Sequence, residues 1–560
     1  MSSRSETTRS IRALEATVDA VYSAAVPSGG VTNSKVAWGF VTAIEDVLRL
    51  LIVDPQNQTP LQVFARINNA KYALKHGLMR IIRSNSVGDL ALPVEELEGP
   101  EYLRAIEFFA LSNNYHVASI VFSLIHSAAV VPHVRGNTVR MPVRAEEREL
   151  LVRDLVEAIG QPAVTPFVPL VSWLRGGPAV DPIVRWASEC PSLPGGFAVE
   201  VVRPPGLLHR VLAAIPAARP LIPPAWKWRT HSAATVRSVL HSLQALCLHH
   251  IIANWWSAIR MGMCGMGLSS AVPLVSRRDL EALLVSVSGQ SPQTVADVAD
   301  LLSYGSKTRT PDPALEPFIP VGASLLMIPP LLTLSNDLER NFLALLARAY
   351  PNEFDPSSHA FEDDMVAALE RSASRFPQKS RFFVPERRDA GEVDLVLADK
   401  ETRHVLVCEL RWMLPAGELR ELFHRRNAGS EKVTQVRTKT AAVRERLEQV
   451  LTALSLDAAE AHTWRVEPLV VLDGCTAASE PDVQVVTRRM LEVGLARTHG
   501  IPELLTWLKS DAFRPRNGVH YRDVYLSLVF GGVRLEHAAV ELLPQAAELL
   551  GQPGDVFPVS

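Results

Sequence analysis

The stretch GEVDLVLADKETRHVLVCELRWML (residues 391–414) decides how the C-terminal half of the chain folds. Two apolar runs, residues 393–398 and 405–410, flank a short polar segment, the pattern of a β-hairpin. If residues 400–403 form the turn, Asp399 pairs with His404, and counting back along both strands sets Asp394 opposite Glu409. Facing side chains of an antiparallel pair have Cβ atoms about 4.5–5.5 Å apart. Two carboxylates that close repel unless a cation lies between them or one is protonated. A hard divalent ion such as Mg2+ takes oxygen ligands and often uses only one or two protein carboxylates. The strand period of two puts Glu409 and Arg411 on one face and Cys408, Leu410 and Trp412 on the other, packed inward. The plainer alternative is a hairpin with one wet face and solvated acids. A register slip of one residue would also part the two acids.

The flanking sequence supplies an ordered set of elements. HAFEDDMVAALERSA (residues 359–373) reads as an amphipathic helix with Glu362 near its start, and RFFVPERR (381–388) as a strand. After the hairpin, GSEKVTQVRTKTAAVRERL (429–447) reads as a helix on which Lys432, Gln435 and Lys439 recur at 0, +3 and +7, on one face. RVEPLVVLDG (465–474) and VQVVTRRML (483–491) read as two further strands.

Acids at these positions, in this order of elements, resemble the PD-(D/E)xK nuclease superfamily, whose fold is restriction-endonuclease-like. The resemblance covers about residues 355–500. It implies Asp394 and Glu409 as ligands of Mg2+ (or Mn2+), Glu362 as an additional acidic ligand and Gln435 as the helix-borne site residue. It also implies nucleic acid as substrate, DNA ahead of RNA. The chain departs from the family pattern at Arg411, where a lysine is expected. Arginine is effectively always charged, so Arg411 can clamp a phosphate bidentately but cannot act as a general base. Lys432, on the next helix, is the candidate for the missing ammonium. The expected function is therefore a metal-dependent nuclease, with bacterial defence or DNA repair suggested by analogy of architecture alone. The alternative is a weak or inactive nuclease-fold protein that binds nucleic acid or scaffolds a complex. A third reading treats the whole chain as an interaction scaffold.

The remainder of the sequence sets the frame. With 560 residues the chain exceeds one ordinary domain, and an α+β multidomain protein is expected. Its parts are a flexible tail (1–30), a helical domain (31–230), a helical connector with a short β excursion at residues 316–329 (231–350), the nuclease-like domain (351–500) and a C-terminal helix and hairpin (501–560). The hairpin is expected to turn at Gly531-Gly532. In SNDLERNFLALLARAYP, Ser335 or Asn336 is expected to cap a helix that Pro351 stops. The formal net charge of −3 excludes a global basic field. Residues 371–450 nevertheless hold 17 Lys/Arg against 12 Asp/Glu, and Arg381, Arg387, Arg388, Arg425, Arg426 and Arg437 are candidates for phosphate contact.

The five cysteines are scattered without a CxxC spacing, which suggests neither a zinc ribbon nor a disulfide framework and fits a reducing, cytoplasmic setting. No signal peptide and no membrane span is expected. The helical half is the expected site of any protein partner. Four weaker features are set aside as sites. They are the sulfur-rich RMGMCGMG (260–267); His241, Cys247, His249 and His250 on one helix; the pair Trp255 and Trp256; and GSKT (305–308), where Asp300 stands in place of the glycine a phosphate-binding loop needs.

Overall fold

A computed structural model describes residues 2–25, 33–53, 60–84, 99–126, 130–142, 145–159, 220–260, 271–322, 324–417, 419–474, 476–477, 479–510, 514–543 and 545–546. Among these, fifteen helices and several sheets form a mixed α/β chain, mostly helical in its N-terminal half and with mixed sheets in its C-terminal half. The first body consists of α1 (Ser2–Ala24), α2 (Asn33–Val53), α3 (Pro60–Ser84) and α4 (Gly99–His126). Phe40, Ile44 and Leu48 of α2 interlock with Leu74 and Leu78 of α3 and with Phe108 and Phe122 of α4. The close approach of α2 to α3 depends on Gly77, where an added Cβ would stand 2.2 Å from the Phe40 ring.

The expected tail contains a helix that joins the core. α1 buries Ile11, Val18 and Tyr22 in the same core, because these three fall seven and then four residues apart, on one helical stripe. By length and composition α4 could cross a membrane. In this fold eight of its residues, among them Ser112 and His116, are buried against neighbouring elements. A short hairpin, β1 (His133–Arg135) and β2 (Thr138–Met141), and the helix α5 (Ala145–Ile159) follow.

The middle of the chain carries β3 (Lys227–Trp228), β4 (His231–Ser232), the long α6 (Ala233–Arg260), β5 (Leu274–Ser276), α7 (Arg277–Ser288) and α8 (Pro292–Leu301). The expected β excursion is β6 (Ile319–Val321) and β7 (Leu325–Met327), turning at Gly322 with φ 71°, and β5 adds a third strand beside β7. The cap of the next helix is corrected. Ser335 closes the short α9 (Pro330–Leu334), so Asp337 becomes the N-cap of α10 (Leu338–Ala349), accepting from the Arg340 N–H at 2.9 Å. Pro351 both ends α10 and occupies the first position of α11 (Pro351–Ser372), where its missing N–H costs nothing.

The five-stranded sheet consists of β8 (Gln378–Phe383), β9 (Glu392–Asp399), β10 (His404–Trp412), β11 (Arg465–Asp473) and β12 (Gln484–Thr487), in the order β12-β11-β10-β9-β8. β8, β9 and β10 form an antiparallel meander, whereas β10, β11 and β12 run parallel. The crossover from β10 to β11 passes through α12 (Leu419–Glu445) and α13 (Leu447–Ala453). Both faces of the sheet are covered, which is why β10 and β11 read as near-continuous apolar runs. On one face Val396, Val405, Val407 and Val470 meet Val433 and Val436 of α12. On the other, Leu395, Cys408, Leu410 and Val471 meet Met365 and Leu369 of α11, together with α14 (Arg488–Arg497) and α15 (Ile501–Lys509).

The segment at residues 483–491 is only half strand. Thr487 ends β12 and caps α14 by accepting from the Met490 N–H at 3.2 Å. At the C-terminus β13 (Tyr521–Phe530) and β14 (Val533–Leu542) form the expected hairpin, turning at Gly531 and Gly532, both with positive φ. β14 then pairs in parallel with β2, and Phe530, Val533 and Leu535 enter the core of the N-terminal helices. Residues 162–182, most of 204–224, the sulfur cluster at 261–267 and the side chains of His249, Trp255 and Trp256 lie outside the described residues.

Candidate active site

The expected turn and register hold along the β9–β10 pair. Asp399 pairs with His404, its Oδ1 accepting from the N–H groups of Glu401 and Thr402 at 3.1 and 3.2 Å, which tightens the turn. Pairing then continues through Val405–Ala398 to Cys408–Leu395 and stops one step short of the acidic pair. The β8–β9 ladder also breaks at this level. Ser380 pairs with Leu395 and Phe382 with Val393, but Arg381 between them has φ 46° and makes no pair with Asp394. Asp394 thus sits where both neighbouring ladders open. Its Oδ2 accepts from the Leu410 N–H at 2.7 Å, so a side chain takes the place of the next main-chain bond.

Glu409 is not a solvated acid on a wet face. Its side chain is 1% exposed, because α12 lies over this face of the sheet. Both carboxylate oxygens are held by ammonium groups from α12. Lys432 Nζ donates to Oε1 at 2.6 Å, and Lys439 Nζ donates to Oε2. Lys439 is itself buried. A buried carboxylate held by one buried and one half-buried ammonium is stable only as a set, since removing a cation leaves buried charge under-compensated.

Glu409 also acts on Asp394. Burial and the Glu409 charge push the Asp394 carboxyl up to about 6, against the pull of the Leu410 N–H and the two lysines. The four side chains therefore form one electrostatic unit. Cys408, on the opposite face, is buried and its thiol pushed far up by desolvation, which keeps it inert.

The other expected site residues take different positions. Arg411, 47% exposed, projects beyond the covered part of the sheet, with Nη1 at 3.4 Å from Glu362 Oε1. Next to this pair Phe361 stacks on Trp412 with ring centroids 3.9 Å apart, anchoring the end of β10 to α11. Glu362 thus faces Arg411, and among the described residues no cluster of three or more metal-ligating side chains forms. Gln435 is exposed, and Lys439 reaches the site instead. The reason is angular: at 3.6 residues per turn a step of seven returns to within about 20° of its start, whereas a step of three falls about 60° short. The +7 spacing was visible in the sequence; the inward aim of Lys439 was not.

The basic surface is largely compensated. Arg381 pairs with Asp363 and Glu392, Arg387 with Asp389 and Glu445, Arg425 with Glu421, Arg426 with Asp154, and Arg437 with Glu480 and Asp482. Arg388 alone of the six candidates makes no ion pair among the described residues. The exposed pairs of Arg381, Arg387 and Arg437 are weak, so a phosphate can displace their carboxylate partners at little cost, whereas Arg425 and Arg426 are largely buried. The helix with His241, Cys247 and His250 builds no metal site among the described residues: Cys247 and His250 are buried, while His241 is largely exposed.

Chemically, the arrangement offers two coupled carboxylates as hard oxygen donors, two ammonium groups aimed at one of them and an exposed guanidinium at the strand end. No family model, no curated protein and no solved structure matches this chain.

Proposed function

We propose that the protein is a metal-dependent phosphodiesterase acting on nucleic acid, DNA ahead of RNA, with a restriction-endonuclease-like domain at residues 351–500. The observation that carries this reading is the convergence of Asp394 and Glu409 with Lys432 and Lys439, where the hairpin ladder opens. The donor set fits a hard divalent cation, because two carboxylates close enough to raise the proton affinity of Asp394 suit Mg2+ or Mn2+. When bound, such an ion neutralises phosphate charge and lowers the pKa of a bound water. Asp394 and Glu409 would hold it, with Glu362 available across Arg411.

The chain's own contribution is electrostatic. Lys439 and Lys432 hold Glu409 in place and set positive charge beside the reacting phosphate, the role the family pattern gives to the residue at 411. Arg411, free to leave Glu362, grips a non-bridging phosphate oxygen or its neighbour on the strand.

One observation favours a second reading, a catalytically quiet nucleic-acid-binding subunit. Both Glu409 oxygens are already occupied by ammonium groups, which compete with a metal for the same lone pairs. Cleavage of single- and double-stranded DNA and RNA with Mg2+ or Mn2+ separates the two. The expected result is metal-dependent cleavage that Glu409→Gln abolishes, Lys439→Met lowers by about 10²–10³ and Arg411→Lys preserves. Nucleic-acid binding without cleavage by wild type, and a gain of cleavage in Arg411→Lys, would establish the quiet subunit instead.

A further inference from the structure

We infer that Asp154, on α5 in the N-terminal half, is a positioning residue for this site: it fixes α12 on the sheet and thereby sets the two lysines on Glu409. The activity part of this inference rests on the phosphodiesterase reading; the structural part does not.

Asp154 is buried, and its two oxygens serve two different elements. Oδ2 accepts from Arg426 Nη2 on α12. Oδ1 accepts from the Thr476 N–H at 2.9 Å and from Thr476 Oγ1 at 2.7 Å, just beyond the end of β11. One carboxylate thus ties the crossover helix to the exit of the strand beside β10. Arg426 precedes Lys432 by six residues, about 9 Å of helix axis. Between them Gly429 brings α12 down onto the sheet; a Cβ there would stand 3.0 Å from Leu472 Cδ1 and 3.1 Å from Ala477 Cβ. Val433, Val436 and Lys439 continue the same buried face. A helix seated this tightly resists sliding, and loosening it weakens the hold of Lys432, 2.6 Å from Glu409, and of Lys439 on the carboxylate.

α5 is itself anchored away from the sheet domain. Val152 and Val156 pack with Tyr521, Val540 and Leu542 of the C-terminal hairpin, and Arg148 pairs with Asp523 at 2.9 Å. That hairpin shares the core of the N-terminal helices. The start of α12 is held separately by Arg340 and Arg348 on Glu421. Asp154 is a contact through which α5, and with it the N-terminal half, reaches α12 about one and two-thirds turns before Lys432. It gives the N-terminal half a direct mechanical route to the candidate site.

The test uses the full-length protein and the variants Asp154→Asn and Arg426→Gln. Asn keeps the shape of Asp154 and an oxygen for Thr476 but loses its charge toward Arg426. Three readouts are taken: acylation of Lys432 and Lys439 by an amine-reactive ester, with Lys379 and Lys400 as internal references; amide exchange over residues 419–445; and kcat and KM for metal-dependent cleavage. Both variants are expected to raise labelling of Lys432 and Lys439 severalfold while leaving Lys379 and Lys400 unchanged. The double variant should add nothing further. kcat should fall by up to about a hundredfold, as for a small displacement of catalytic groups, with KM unchanged. Unchanged labelling and exchange in a folded Asp154→Asn protein would overturn the clamp, whether or not the protein cleaves. A rise spread equally over Lys379 and Lys400 would overturn it too, by showing general loosening. Local labelling changes in a protein that never cleaves would support the clamp and remove the phosphodiesterase reading.

Discussion

At the scale of single residues, the candidate site is organised around the buried charge of Glu409. Its two ammonium partners come from one helix face, so their loss can be tested one at a time. Lys439→Met is expected to destabilise the protein by roughly 2–4 kcal/mol in denaturant unfolding, the lower side of what breaking a buried pair costs because Lys432 remains. If the site is catalytic, the same change should lower kcat by about 10²–10³, the usual effect of removing one preorganised charge stabiliser. Asp394 gives a pH-dependent prediction of opposite sign to that of an ordinary salt-bridged acid. Its folded-state carboxyl lies near 6, above the ordinary value of 3.8. Its contribution to stability is therefore fully present below pH 3.8 and lost as pH rises through about 6. In metal-free buffer Asp394→Asn, which keeps an acceptor for Leu410, should be more stable than wild type at pH 8 by about 1–3 kcal/mol. Most of that advantage should be gone by about pH 4, where wild-type Asp394 is almost fully protonated in the folded state and partly protonated in the unfolded one. Chemical denaturation at the two pH values reads the difference directly.

At the scale of elements, the loops that close the sheet around the site are built to tight tolerances. Gly474 follows β11 with φ 95°, and a Cβ there would stand 2.1 Å from Met413 O, main chain against main chain. No side-chain adjustment relieves such a clash, so Gly474→Ala should cost more than about 3 kcal/mol or prevent folding of this domain, checked by thermal unfolding. Gly417 is a contrasting case. A Cβ there would meet the guanidinium of Arg340 at 2.6–2.9 Å, the far end of a flexible side chain. Gly417→Ala should therefore displace Arg340 from Pro415 O and Glu421 while leaving the sheet intact. It should cost less than Gly474→Ala and loosen the start of α12, visible as faster amide exchange over residues 419–425.

At the scale of the whole molecule, the chain closes on itself: its last hairpin completes a sheet with β2 and seals the core of the N-terminal helices. Ending the chain after Lys509 should therefore expose Phe40, Phe108 and their neighbours rather than the five-stranded sheet. Limited proteolysis of this truncation is expected to attack the helices of residues 2–126 first, with residues 378–487 more resistant. Protection of the N-terminal helices at the wild-type level would mean that the hairpin is dispensable to that core.

Local pattern carried the five-stranded sheet a long way. The alternation and turn at residues 391–414 determined the hairpin and its register, and the element order around it followed from helical and strand periods that are written in consecutive residues. Where a boundary depended on competition between neighbours, local signals were insufficient: Asp337 caps α10 because Ser335 is already committed to α9. The nearness of Asp394 and Glu409 was legible because the register that runs to Cys408–Leu395 leaves them one step further along the two strands. Their environment was not, because the burial of Glu409 requires α12 to pack over it. Lys439 lay on the right helical stripe, yet only packing turned that stripe toward the sheet. The docking of α1, the partnership of the C-terminal hairpin with β2 and the bond of Asp154 to α12 join residues tens to hundreds of positions apart. The sequence by itself determined the elements and the pairing of adjacent strands, which are short-range consequences of side-chain period and turn chemistry. The tertiary structure decided which charges are buried together, because burial is a property of surfaces that meet only when distant parts of the chain have packed.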